Sequence, residues 1–254
     1  MFAWNKHFYI LRIIFIMNEE KLYRMIEEKE GMVSLAFPAL MRKVYVWMAL
    51  ALVITGFTAF GIASNPGIAY TIVTNQVLFW GLIIAEFGLV IAISGAINKL
   101  SAATATLLFV LYSIINGATL SVIFMAYTLT SIASVFFITA GLFGVMAFIG
   151  YTTKTDLTSI GKVLFMALIG IVLATIVNLF IGSSMLNMIV SYIGVVVFTG
   201  LTAYDSQKIK NMLYEADDMD EGMQKIALLG SLTLYLDFIN LFLMLLRIFG
   251  NNRD

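Results

Sequence analysis

The chain has 254 residues, 61% hydrophobic and only 12% charged, with a mean hydropathy of +0.97 and no net charge. A soluble domain carries about twice that charge fraction, and water tolerates no fold with so much apolar surface, so the composition places the chain in a bilayer. Charge balance argues against a nucleic-acid partner, and the absence of cysteine excludes disulfides, thiolate metal sites and cysteine nucleophiles.

Residues 1–42 read as an N-terminal cytoplasmic segment. Its first sixteen residues, MFAWNKHFYILRIIFI, are apolar but too short to span, and Glu19 and Glu20 follow where a cleavage site would need small residues. That stretch is either an interfacial segment or an over-extended start, with Met17 opening a more ordinary beginning. The single histidine, His7, has no second ligand nearby and reads as a bystander.

A helix needs about 20 predominantly apolar residues to cross the hydrocarbon core. Residues 44–63, 77–97, 102–127, 132–150, 163–181, 188–209 and 226–246 qualify. Turn-like separators at 64–67, 98–99, 129–131, 152–162, 182–184 and 210–225 divide them. Continuous apolar runs, without strict alternation, exclude a β-barrel. The expectation is an all-α membrane protein: a seven-helix domain at 43–250 and a short tail at 251–254.

Positive charge orients such a bundle. Lys21, Arg24, Lys29, Arg42 and Lys43 precede the first span. Lys99 lies in the second connection, Lys154 and Lys162 in the fourth, and Lys208, Lys210 and Lys225 around the sixth. The first, third and fifth connections hold none, which predicts a cytoplasmic N-terminus. Seven crossings then put Arg247 and Arg253 outside. Either the rule is overridden there or the last span stops short of crossing. Small residues recur at helical spacing in Gly88, Ala92 and Ala96 and in Ser113, Gly117 and Ser121, a pattern for tight packing.

Within the spans the acidic residues are Glu86, Asp205 and Asp237. Each would cost about 2.5–3.5 kcal/mol if ionised at the bilayer centre, so the three should face the interior, paired or protonated. Thr233, Asp237, Asn240 and Arg247 share one face of the last span; Ser191, Thr202 and Asp205 share one of the sixth; Asn116 marks a polar face on the third. A plainer role for Asp205 is an i+3 pair with Lys208. The acidic run from Glu215 to Glu221 reads as a solvated loop.

The string GLTAYDSQKIK at 200–210, followed by LTLYLDFINLFLMLLRIFG at 232–250, resembles the Bax inhibitor-1 (transmembrane Bax inhibitor motif) family, in particular its small bacterial members. AEFGLVIAIS around Glu86 and KLS at 99–101 extend the likeness over about 41–250. The resemblance implies seven helices with the last one central. It also implies a pH-sensitive calcium leak in which Asp205 and Asp237 form a di-aspartyl sensor and Glu86 lies on the cation path. On this view Asp205, Asp237 and Glu86 are the candidate calcium ligands, with Asn240, Thr233, Lys208, Lys99 and Asn116 as supporting lining. The family's latching arginine near the end of the second helix has no clear counterpart; Lys99 stands nearest to its place.

The chemistry agrees with that implication. Two carboxylates meeting in a low dielectric cannot both ionise cheaply and share a proton, and calcium prefers hard oxygen ligands. Expected partners are the bilayer and calcium as a transported ion, in a bacterial inner membrane, with no cofactor. One rival is a non-transporting regulator of a membrane protease or of cell-death machinery. Another is an intramembrane aspartyl protease, suggested by Tyr204-Asp205, Asp237 and a Pro38-Ala39-Leu40 tripeptide. Against the protease, the second aspartate lacks its glycines and the tripeptide precedes the first span.

Overall fold

The computed structural model describes residues 38–214 and 221–251. The readings of residues 1–16, His7, Lys21, Arg24, Lys29, Arg253 and most of the acidic run at 215–221 lie outside them.

Nine helices occur among the described residues: α1 (Pro38–Ala63), α2 (Pro66–Thr74), α3 (Gln76–Ala96), α4 (Ala102–Leu120), α5 (Ile123–Ala126), α6 (Leu129–Thr152), α7 (Thr158–Ile181), α8 (Ser184–Tyr214) and α9 (Glu221–Phe249). Seven crossings result, with α4 and α5 forming one of them. The helices outrun the apolar stretches because polar caps, not the edge of the hydrocarbon, end them. Asn75 accepts the Leu78 N–H at 3.1 Å, Ser101 that of Thr104 at 3.1 Å, and Thr128 that of Ser131 at 3.3 Å. Gly182 closes α7 in the left-handed region at φ 67°, its N–H on the Asn178 carbonyl. The first connection is not a bare turn. Asn65 caps α2 and Pro66 sits at its first position, so the residues that suggest a turn here start a helix.

Burial sorts the helices into two layers. Of the most apolar window of α9, 67% is buried, against 6% for α3 and 11% for α7. The last helix is therefore the hub. Ser231 of α9 donates to the Val44 carbonyl of α1 at 3.0 Å, Phe109 of α4 packs edge-on against Tyr235, and Phe136 and Phe143 of α6 pack against Phe238. The sixth-span helix α8 is its main partner, while α3 leans on α4 and α7 on α8. Large exposed side chains such as Phe87, Ile91, Phe165 and Phe180 cover that outer layer, a surface only lipid can solvate.

Close approach uses small residues at the inner contacts. A Cβ at Gly150 would collide with the Ala203 backbone, and one at Gly117 with the Thr55 backbone. Gly117 therefore packs as expected. Gly88 does not: it and Ala92 are exposed, and nothing lies within 4 Å of a Cβ placed at Gly88.

The two ends of the bundle are chemically unlike. One carries Lys43, Lys99, Lys154, Lys162, Lys210 and Lys225. At the other, the Asn251 carbonyl accepts the Thr128 N–H at 3.2 Å and the Asn251 N–H reaches Ser131 Oγ at 2.9 Å. The C-terminal end of α9 thus lies against the third connection, and the last helix crosses completely. Charge bias yields locally at Arg247, whose Nη1 donates to Ser191 Oγ at 3.3 Å.

Candidate functional site

The α8–α9 seam brings the two aspartates together. Gly230 faces Ile209 and Gly194 faces Met244 so closely that a Cβ at either would press into the opposing side chain, and this lets the backbones approach. Asp205 and Asp237 are buried at 9% and 5% exposure, and their carboxyl groups face each other closely enough to interact. Asp237 Oδ2 has no donor when both groups are written as carboxylates. One proton shared between the two carboxyls lets one donate to the other. Two like charges meeting at this depth repel strongly unless the pair keeps a proton.

Lys208 does not neutralise the pair as an i+3 partner. Its charge acts on Asp205, but its ammonium lies 5.9 Å from the centroid of the Tyr204 ring, with no ion pair to Asp205. Thr199, Thr202 and Ser206 line one face of α8 at i, i+3 and i+7, and Thr199 Oγ1 and Ser206 Oγ lack hydrogen-bond partners. Tyr45 of α1 approaches Ser206 without completing a hydrogen bond. Below the pair, the Gln207 side chain bridges to the connection between α6 and α7. Its Nε2 donates to the Thr155 carbonyl and its Oε1 accepts the Leu157 N–H, both at 2.8 Å.

Glu86 lies elsewhere. Asn116 Nδ2 donates to Glu86 Oε2 at 3.1 Å, and the Tyr235 hydroxyl donates to Asn116 Oδ1 at 2.8 Å. Tyr235 also meets Thr55 Oγ1 at 2.7 Å, and Thr55 donates to the Ser113 carbonyl at 3.0 Å. This chain ties α3, α4, α9 and α1. Tyr235 and Asp237 are two residues apart, about 200° around the helix. The Glu86 cluster and the aspartate pair therefore occupy opposite sides of α9, rather than one shared polar interior.

The remaining expected residues divide. Asn116 is central to the Glu86 cluster. Thr233 and Asn240 bond to their own helix, at the Leu229 and Leu236 carbonyls. Lys99 is exposed in the short link from α3 to α4, with no described ion-pair partner. Pro38-Ala39-Leu40 forms the first turn of α1. Thr55, Tyr235, Ser206 and Gln207 carry weight that motif reading missed. A helical wheel of the last span shows Tyr235 opposite Asp237, and Thr55 is one of two threonines, with Thr58, in an otherwise apolar run.

Among the described residues no three His, Cys, Asp or Glu side chains gather in one place that could hold a metal. Calcium favours six to eight oxygens, more than the two carboxyl groups of the pair supply. Outside the spans, Asp156 precedes α7, and the Thr158 hydroxyl and then its N–H hold that carboxylate below the ordinary range.

A family model described as "Inhibitor of apoptosis-promoting Bax1" matches residues 38–254. The inner membrane protein YbhL of Escherichia coli (strain K12) is 56% identical over 214 residues, covering 84% of this chain and 92% of that protein. An uncharacterized protein of Borreliella burgdorferi is 49% identical over 228 residues, or 90% and 97% of the two chains. An uncharacterized protein of Rickettsia prowazekii, RP147, is 45% identical over 216 residues, or 84% and 90%.

Proposed function

The chain belongs to the Bax inhibitor-1 family, and from that premise we propose that it is a pH-sensitive calcium leak gated by a proton shared between Asp205 and Asp237. The observation that carries the reading is the burial of two facing carboxyl groups in the α8–α9 seam, where one can hydrogen-bond the other only while the pair keeps a proton. Protonated, the pair holds the two helices together and the path is closed. Deprotonated, the carboxylates repel and the seam loosens. Glu86 serves as a second cation station across α9.

The setting is an inner membrane, as the name of the Escherichia coli relative says of that protein. The basic end of the bundle faces the cytoplasm, following the positive-inside rule. The reading is non-enzymatic.

Calcium flux into proteoliposomes across pH tests it. Flux should rise as the pair loses its proton. Asp237→Asn supplies a permanent donor to Asp205, so its flux should stay low and flat with pH. An Asp237→Asn protein with the parent's flux and profile overturns the reading. If both aspartates are dispensable while a cellular phenotype survives, the protein is a regulator of another membrane component instead.

A further inference from the structure

A lateral groove between α1 and α6, about 480 Å³ in volume, opens at the basic end. Gly144 and Ala147 form its floor, and nothing lies within 4 Å of a Cβ placed at Gly144. Met48, Phe143 and Phe148 give it apolar walls. From Tyr151 to Gly144 it runs about 10 Å along α6, roughly a third of the hydrocarbon thickness.

The mouth is cationic. Arg42 lines it, exposed and with no described carboxylate partner. Lys210 of α8 stands beside it, its Nζ donating to the Tyr151 carbonyl at 2.9 Å and lying 5.8 Å from the centroid of the Tyr151 ring. An occupant must therefore be apolar along its length, enter from the side at membrane depth, and carry an anion where the chain meets water.

We propose that this groove binds one anionic glycerophospholipid, an acyl chain lying over Gly144 and the phosphodiester between Arg42 and Lys210. The apolar slot accepts any acyl chain; the two cations select the headgroup. Each basic residue near a membrane surface favours an anionic lipid about five-fold. The proposal does not depend on the calcium reading.

Native mass spectrometry of the full chain in detergent, titrated with phosphatidylglycerol or phosphatidylcholine of matched acyl chains, tests it. One phosphatidylglycerol should be retained in preference to phosphatidylcholine. Arg42→Gln removes an exposed side chain, and should cost about five-fold in phosphatidylglycerol affinity and less in that of phosphatidylcholine, whose choline offsets its phosphate charge. Gly144→Leu fills the slot and should weaken both lipids; Arg247→Gln, at the opposite end, should change neither. Inorganic phosphate should not displace the bound lipid. Parent-like phosphatidylglycerol binding by Arg42→Gln overturns the proposal, as does displacement by phosphate alone or a second copy of the chain excluding the lipid.

Discussion

The two acidic stations flanking α9 differ in how their carboxyl groups are held. Glu86 rests on an amide: Asn116 donates to it and is itself held by Tyr235, whose ring packs edge-on against Phe109 and Tyr112. An amide donor serves a carboxylate whatever the pH. Asp237 faces another carboxyl, and one can donate to the other only while the pair keeps a proton. Glu86 Oε1 and Asp237 Oδ2 both lack a partner among the described residues, so the contrast lies in the neighbour. On the proposed reading the amide makes one side of the helix a strut and the carboxyl makes the other a proton-dependent joint.

The largest effect should come from removing the joint. Asp205→Asn, like Asp237→Asn, should abolish the pH dependence of calcium flux, whereas Glu86→Gln should lower flux without moving its pH midpoint. A shifted midpoint in Glu86→Gln would merge the two stations into one.

Tyr235→Phe keeps the ring and deletes the hydroxyl, leaving the Asn116 and Thr55 oxygens short of a partner. The expected loss is about 1–3 kcal/mol of stability, read as a lower thermal midpoint, with an unaltered pH profile.

Gln207→Leu sharpens the contrast from the other side. It breaks two hydrogen bonds that anchor α8 beneath Asp205, for a loss of about 1–3 kcal/mol. Here the flux profile should change as well, because this residue sets where the joint sits. Asn116→Leu, also destabilising, should not change it.

The smallest effect belongs to Asp156, exposed and outside both stations. Its carboxylate is favoured in the folded state, so its contribution is present above the unfolded pKa and is lost as pH falls through the folded one. Asp156→Ala should melt slightly below the parent at neutral pH, and the gap should close in strong acid.

Hydropathy made the seven crossings legible because lipid demands long apolar runs, and the three intramembrane acids stood out against them. Helix α2 was obscured since Asn-Pro-Gly suits a turn as well as a capped start. Lys208 follows Asp205 at pairing distance along the chain, but its flexible stem carries the ammonium over Tyr204. The separation of Glu86 from the aspartates was hidden for another reason. Tyr235 and Asp237 are near neighbours in the motif, and only their angular positions on α9 send one toward α4 and the other toward α8.

The junction of Asn251 with Thr128 and Ser131 pins the C-terminal end of the last helix. Asp237 lies fourteen residues up that lever, about 21 Å away. A tilt of about 8° around the pinned end would carry its carboxyl roughly 3 Å, enough to break a hydrogen bond without unwinding a turn.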